Sequence, residues 1–173
     1  MVMFLVAETM FFSGLIGAYL VFRFGSRVWP PPNLPRLPLE VTWANTVVLS
    51  VSALTMLAAL RAVRAGDRRG LNLGLTVTLV LGCAFLAVQG SEWLRLIGHG
   101  LTLRAGTYGA SFYGLIGAHA VHVLGAVIWL GTVWICARQG RFGAARHVAV
   151  ELCAVYWLFV CALWLALFTL VYR

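Results

Sequence analysis

The chain has 173 residues, 62% of them apolar and only 10% charged, where a soluble domain carries roughly 25% charged residues. That balance describes a polytopic membrane protein and leaves little soluble mass for a catalytic domain. The formal charge of +8 comes from arginine alone, with no lysine in the chain. The arginines sit in short segments between apolar runs, which reads as anchoring at the membrane surface and not as nucleic-acid binding.

A helix needs about 20 apolar residues to cross the hydrocarbon core. Five segments qualify, over residues 2–24, 42–63, 71–93, 110–137 and 148–172, and together they predict an all-α transmembrane bundle forming one membrane domain, 1–173. The apolar run starts almost at Met1, with no small-residue cleavage site after a short hydrophobic region, so no signal peptide is expected. Within the first span lies Glu8, sharing a helix face with Phe11, Phe12, Leu15, Tyr19 and Phe22. Its carboxyl group is either near the headgroups and wet, or buried and protonated, because desolvation disfavours the charged form. Structural hydrogen bonding and a proton-related role are both open to it. Gly14 and Ala18 form a small-xxx-small pair suited to close helix contact.

The segment SRVWPPPNLPRLPLE after the first span holds all five prolines. Three in a row forbid helix and favour an extended path, with Trp29 and Trp43 as interfacial anchors. RAVRAGDRRG then makes a tight basic hairpin, and the third span closes at QGSEW. There Glu92 reads as an interfacial carboxylate beside Trp93. Residues 94–108 read as a glycine-rich loop.

The fourth span carries FYGLIGAHAVHVLG, residues 112–125, which places His119 and His122 on one face inside a membrane-length run. A charged side chain at that depth costs on the order of 3 kcal/mol on insertion scales, so the pair needs a reason. A di-metal site would need several more inward carboxylates or histidines. Haem ligation would need histidines on two helices, whereas His99 and His147 fall in loops. Neutral imidazoles hydrogen-bonded to neighbouring helices are therefore expected. Gly114, Gly117, Ala118 and Gly125 form an adjacent small-residue face. After a second basic loop, RQGRFGAARH, the fifth span opens with His147 and Glu151. An acid in a first helical turn is favoured by the helix dipole.

Cys83, Cys136, Cys153 and Cys161 form no C-x-x-C pair and read as free thiols. No nucleophile–base pair, phosphate loop or redox motif occurs. The basic segments after spans two and four hold seven arginines in compact hairpins, against six spread over the other side. Compactness favours a cytoplasmic N-terminus.

The ordered motifs resemble subunit III of the haem–copper oxidases, the cytochrome c oxidase type. AETMFFSGLIGAYLVFR is similar to the family's glutamate-bearing helix, with Glu8 at the acidic position. WPPP, LPLEVTWANTVVLS and GDRRG resemble its proline loop, next helix and basic hairpin. VQGSEW resembles its Gln-x-x-Glu-aromatic segment, through Gln89 and Glu92. YGASFYGLIGAHAVHVLG resembles its G-x-H-x-x-H-V signature, through Gly117, His119, His122 and Val123. RHVAVELCAVYWLFVCALWLALFTLVY, with His147 and Glu151, resembles its last helix. Ala126 stands where the signature would close on glycine. Leu158 and Cys161 stand where the last helix usually has histidine and aspartate.

The resemblance implies a five-helix form that starts at the third helix of seven-helix members. It implies an accessory subunit in the bacterial plasma membrane with no catalytic residue, cofactor or metal of its own. Haem and copper would lie in partner subunits. The chain would pack on oxidase subunit I beside the other subunits, hold structural phospholipid and support proton uptake, with no nucleic-acid partner. The alternatives are an accessory subunit of a quinol oxidase or nitric oxide reductase, or an independent membrane metalloenzyme or transporter using Glu8, His119 and His122.

Overall fold

The computed structural model describes residues 1–26, 29, 39–102, 106–143 and 146–172. It contains five helices: α1 Val2–Gly25, α2 Leu39–Arg64, α3 Arg68–Gly98, α4 Gly106–Arg138 and α5 Val148–Val171. All five are long and apolar enough to cross a membrane. Within hydrocarbon a helix satisfies its own backbone, which is why an apolar chain adopts this form.

Four helix ends lie three or more residues beyond the expected bounds, the start of α3 at Arg68 among them. α3 runs on to Gly98 and α4 begins at Gly106, so the loop expected over 94–108 is much shorter. Leu94, Leu96 and Ile97 continue the apolar pattern and no breaker intervenes. The helix stops only where Gly100 takes φ +89°, while the His99 N–H turns back to the carbonyls of Arg95 and Leu96. α2 starts three residues early, at Leu39. The predicted basic hairpin is present: Gly66 turns at φ +76°, and Asp67 caps α3 by accepting from the Arg69 and Gly70 N–H groups at 3.0 and 3.1 Å. Most of the proline segment, and the extended path expected for it, lies outside the described residues.

α2, α3, α4 and α5 close a four-helix ring in chain order, and α1 lies outside it against α4. Polar side chains on one face of α2 hold much of the ring together. Asn45 Nδ2 donates to the Phe85 carbonyl of α3 at 3.1 Å. Thr55 and Thr78 share a 2.8 Å hydrogen bond between α2 and α3. From α5, the indole N–H groups of Trp157 and Trp164 donate to Ser52 and Thr46 at 3.2 and 3.0 Å. Trp134 of α4 donates to Thr76 of α3 at 2.8 Å. Cys161 is buried, and its thiol points at the Leu49 carbonyl from 3.9 Å.

The close backbone contacts are not where the sequence placed them. A Cβ at Gly74 would lie 2.7 Å from the Ala59 side chain and 3.0 Å from its backbone, so α2 and α3 touch there. A Cβ at Gly82 would meet the Trp157 ring at 2.5 Å. At Gly14, Gly114 and Gly125 nothing lies within 4 Å, and at Gly117 only Trp93 does, at 3.9 Å. The small faces of α1 and α4 therefore do not bring backbones together. Leu15, Ala18, Ser111 and Gly114 instead line an apolar groove of about 570 Å³ between these helices.

Gly74→Val should lower the melting temperature in mild detergent, because overpacking a tight contact costs about 1–3 kcal/mol. Gly114→Ala should leave it unchanged or raise it, since alanine is the better helix former. Equal losses in the two variants would refute this assignment of the contacts.

Candidate functional site

α1 is held to the bundle through a small cluster around its one intramembrane acid. Phe12 and Tyr19 are its buried residues. One helical turn before Phe12, Glu8 reaches α4, where its Oε2 lies 2.8 Å from His122 Nε2. The two side chains are 14% and 21% exposed, so the contact is largely shut off from its surroundings. His122 is the middle residue of α4, about 24 Å from either end at 1.5 Å per residue. Glu8 is near the start of its own helix but at the midpoint of its partner. Its side chain is partly enclosed against α4, which lies between the two expected settings.

The protonation of this contact follows from its partners. His122 Nδ1 lies 2.6 Å from the Ala118 carbonyl. A carbonyl only accepts, so Nδ1 carries a hydrogen and Nε2 is the nitrogen free to take or release one. A close approach of Nε2 to a carboxylate oxygen is favourable when one proton lies in the pair. The choice is carboxylic acid with neutral imidazole, or carboxylate with imidazolium, and the pair is neutral overall either way. The two atoms are close but not aligned for a linear hydrogen bond. Phe11 and Phe12 wall the pair, with ring centroids 5.9 and 5.0 Å from His122.

His119 behaves differently from His122. It is 1% exposed, and among the described residues neither ring nitrogen has a hydrogen-bond partner. Its imidazole stacks on Trp164 of α5, with centroids 5.2 Å apart and planes 26° apart, and Phe12 meets it edge-on at 6.4 Å. The expected hydrogen bond from His119 to a neighbouring helix is therefore absent. Ring packing holds it, and Trp164 is in turn fixed by Thr46. Among the described residues, the polar contact of His122 with a neighbouring helix is with Glu8, since its other nitrogen bonds within α4.

The remaining singled-out residues lie at the two ends of the bundle and do not join this cluster. Gln89 and Glu92 are buried near the end of α3, and Glu92 Oε1 accepts from Arg95 at 3.0 Å. Glu92 is thus more enclosed than an interfacial carboxylate, with its cation one turn away. At the opposite end Glu151 Oε1 accepts from Arg64 Nε and Nη2 at 3.0 and 2.7 Å, tying α5 to α2, with His147 Nε2 at 3.4 Å. The helix dipole alone predicted the position of Glu151 but not this cross-helix partner. Trp29 packs on Tyr108 at 4.9 Å and Trp43 on Phe168 at 5.2 Å. Among the described residues no group of three or more His, Cys, Asp or Glu side chains could hold a metal ion.

The family model for cytochrome c oxidase subunit III matches residues 1–173. Among similar proteins, cytochrome c oxidase subunit 3 of Synechocystis is 36% identical over 99% of this chain and 72% of its own length. The subunit 3 of Thermostichus vulcanus is 35% identical over 99% of this chain and 84% of its own. The horse protein, from Equus caballus, is 31% identical over 99% of this chain and 67% of its own. The chain belongs to the cytochrome c oxidase subunit III family.

A double-mutant cycle on Glu8→Ala and His122→Ala should give a coupling of about 1 kcal/mol, within the range of polar contacts between membrane helices. Thermal unfolding in detergent supplies the four energies. Strictly additive losses would mean that the two side chains do not act as a pair.

Proposed function

We propose that the whole chain works as one membrane domain that packs on oxidase subunit I and steadies proton uptake there. It is an integral membrane protein and an accessory subunit of a haem–copper oxidase, without catalytic activity of its own. The full-length family match carries this reading. It favours a cytochrome c oxidase over a quinol oxidase, a nitric oxide reductase or an independent metalloenzyme or transporter.

In this reading haem and copper belong to the partner subunits, where oxygen is reduced. Glu8, Gln89, Glu92, His119, His122, His147 and Glu151 are structural or proton-linked, and none is a metal ligand. Glu8 and His122 keep a single proton in an apolar setting, which avoids leaving a bare charge at mid-membrane. Gln89, Glu92, His147 and Glu151 secure the helix ends. Structural phospholipid belongs to the same picture, and the apolar groove between α1 and α4 offers room for an acyl chain. We place the chain in a bacterial plasma membrane with the N-terminus in the cytoplasm, since the two compact arginine hairpins follow α2 and α4.

Extraction in mild detergent should yield the chain in a complex containing haem and copper, with subunit I among the co-purifying chains. Deleting it should leave oxygen consumption reduced but measurable, with haem per subunit I unchanged. A chain that purifies alone in active form would overturn the proposal. For orientation, a membrane-impermeant maleimide added outside should label His99→Cys and spare Arg141→Cys. The reverse pattern would invert the topology.

A further inference from the structure

At the end of the bundle where α2 and α4 finish and α3 and α5 begin, seven arginines gather: Arg61, Arg64, Arg68, Arg69, Arg138, Arg141 and Arg146. All are exposed. Two carboxylates lie at this end, and both are engaged within the protein. Asp67 caps α3 through the Arg69 and Gly70 N–H groups. Glu151 accepts two hydrogen bonds from Arg64. Among the described residues Arg64 is the one arginine at this end in an ion pair. The other six guanidinium groups leave a cationic ledge that this chain does not neutralise.

The fold draws the two basic hairpins together. Gly140 turns the end of α4 at φ +73°, and Arg68 Nη1 from the start of α3 reaches within 3.4 Å of where a Cβ at Gly140 would sit. Arg68 therefore lies against the turn that carries Arg138 and Arg141. The Arg138 guanidinium is 5.2 Å from the centre of the Trp134 ring. Trp134 is anchored by its bond to Thr76, and tryptophan is the residue favoured at headgroup level. The ledge thus combines a tryptophan ring anchored by a hydrogen bond with three guanidinium groups from two hairpins.

We propose that Arg68, Arg138 and Arg141 form a docking site for the headgroup of an anionic phospholipid. A phosphodiester accepts hydrogen bonds from guanidinium groups, and its negative charge meets an unbalanced positive surface. The site lies at the opposite end of the molecule from the groove between α1 and α4 that reaches Phe22 and Gly106. It depends on the membrane-spanning fold and not on the oxidase reading.

The test uses the full chain in detergent micelles supplied with equal phosphatidylglycerol and phosphatidylcholine, with retained lipid measured by native mass spectrometry. Wild type should retain phosphatidylglycerol preferentially. Each arginine near an anionic surface contributes about fivefold. The triple variant Arg68→Gln, Arg138→Gln, Arg141→Gln should therefore lose roughly a hundredfold of the preference at low salt. The corresponding triple lysine variant should keep most of it, because the positive charges remain. Should the triple glutamine variant fail to fold, Arg141→Gln alone should lose about fivefold. No preference in wild type, or an unchanged preference in the folded glutamine variant, would overturn the proposal. So would equal loss in the glutamine and lysine triples, or displacement of the lipid by millimolar inorganic phosphate, which would mark a soluble-anion site.

Discussion

In a bilayer the apolar surface of a helix gains nothing by leaving lipid for another helix, so association rests on close packing and on polar groups that find partners. That constraint organises this molecule. α2 is the helix on which most of the polar partners converge. Asn45 and Thr55 face α3, while Thr46 and Ser52 receive indole N–H groups from α5. Each such bond contributes about 0.6 kcal/mol on average and at most about 1.7. No single one determines the fold, and their spacing along α2 fixes the register of its neighbours. Where Gly74 and Gly82 remove the side chain, the neighbouring residues fill the space directly.

α1 stands outside that ring and answers the same constraint with an ionisable pair. Glu8 Oε2 lies 2.8 Å from His122 Nε2, so the carboxyl group opposite the midpoint of α4 faces a polar partner and not hydrocarbon alone. His119, one turn away, adds nothing to the proton inventory: its ring is packed between Trp164 and Phe12 as a flat apolar filler.

Much of this was legible in the sequence. Apolar runs of membrane length gave the five helices, and the order of Glu8, Gln89, Glu92, His119 and His122 gave the family. Glu92 and Arg95 pair one turn apart only because α3 runs on to Gly98, past the span end expected at 93. Other features were not readable because they join distant positions. Nothing local tells Arg64 that Glu151 is its partner, 87 residues away. The Trp157 and Trp164 donors looked like bulky apolar residues, and their acceptors on α2 looked like scattered hydroxyls. The glycines misled for a related reason. Gly114 and Gly125 have the spacing of a contact face, yet whether another helix lies opposite is a tertiary fact. Gly74, whose Cβ position meets the Ala59 backbone at 3.0 Å, lies four residues after Gly70 and so carries the same small-residue spacing. The helix ends were misjudged where apolar residues continue past the span, as at Leu94–Ile97.

What ties these observations together is that the intramembrane acid and histidines lie in the packing between helices, Glu8 and His122 between α1 and α4 and His119 between α4 and α5. Glu8 Oε2 lies 2.8 Å from His122 Nε2, and His119 is enclosed by aromatic rings. The most direct check is elemental analysis and visible absorption of the chain purified away from every other subunit, in detergent, with its helix content intact. The account predicts no transition metal at stoichiometric level and no haem band. One tightly held metal ion per chain, lost on replacing Glu8 or His122, would contradict it.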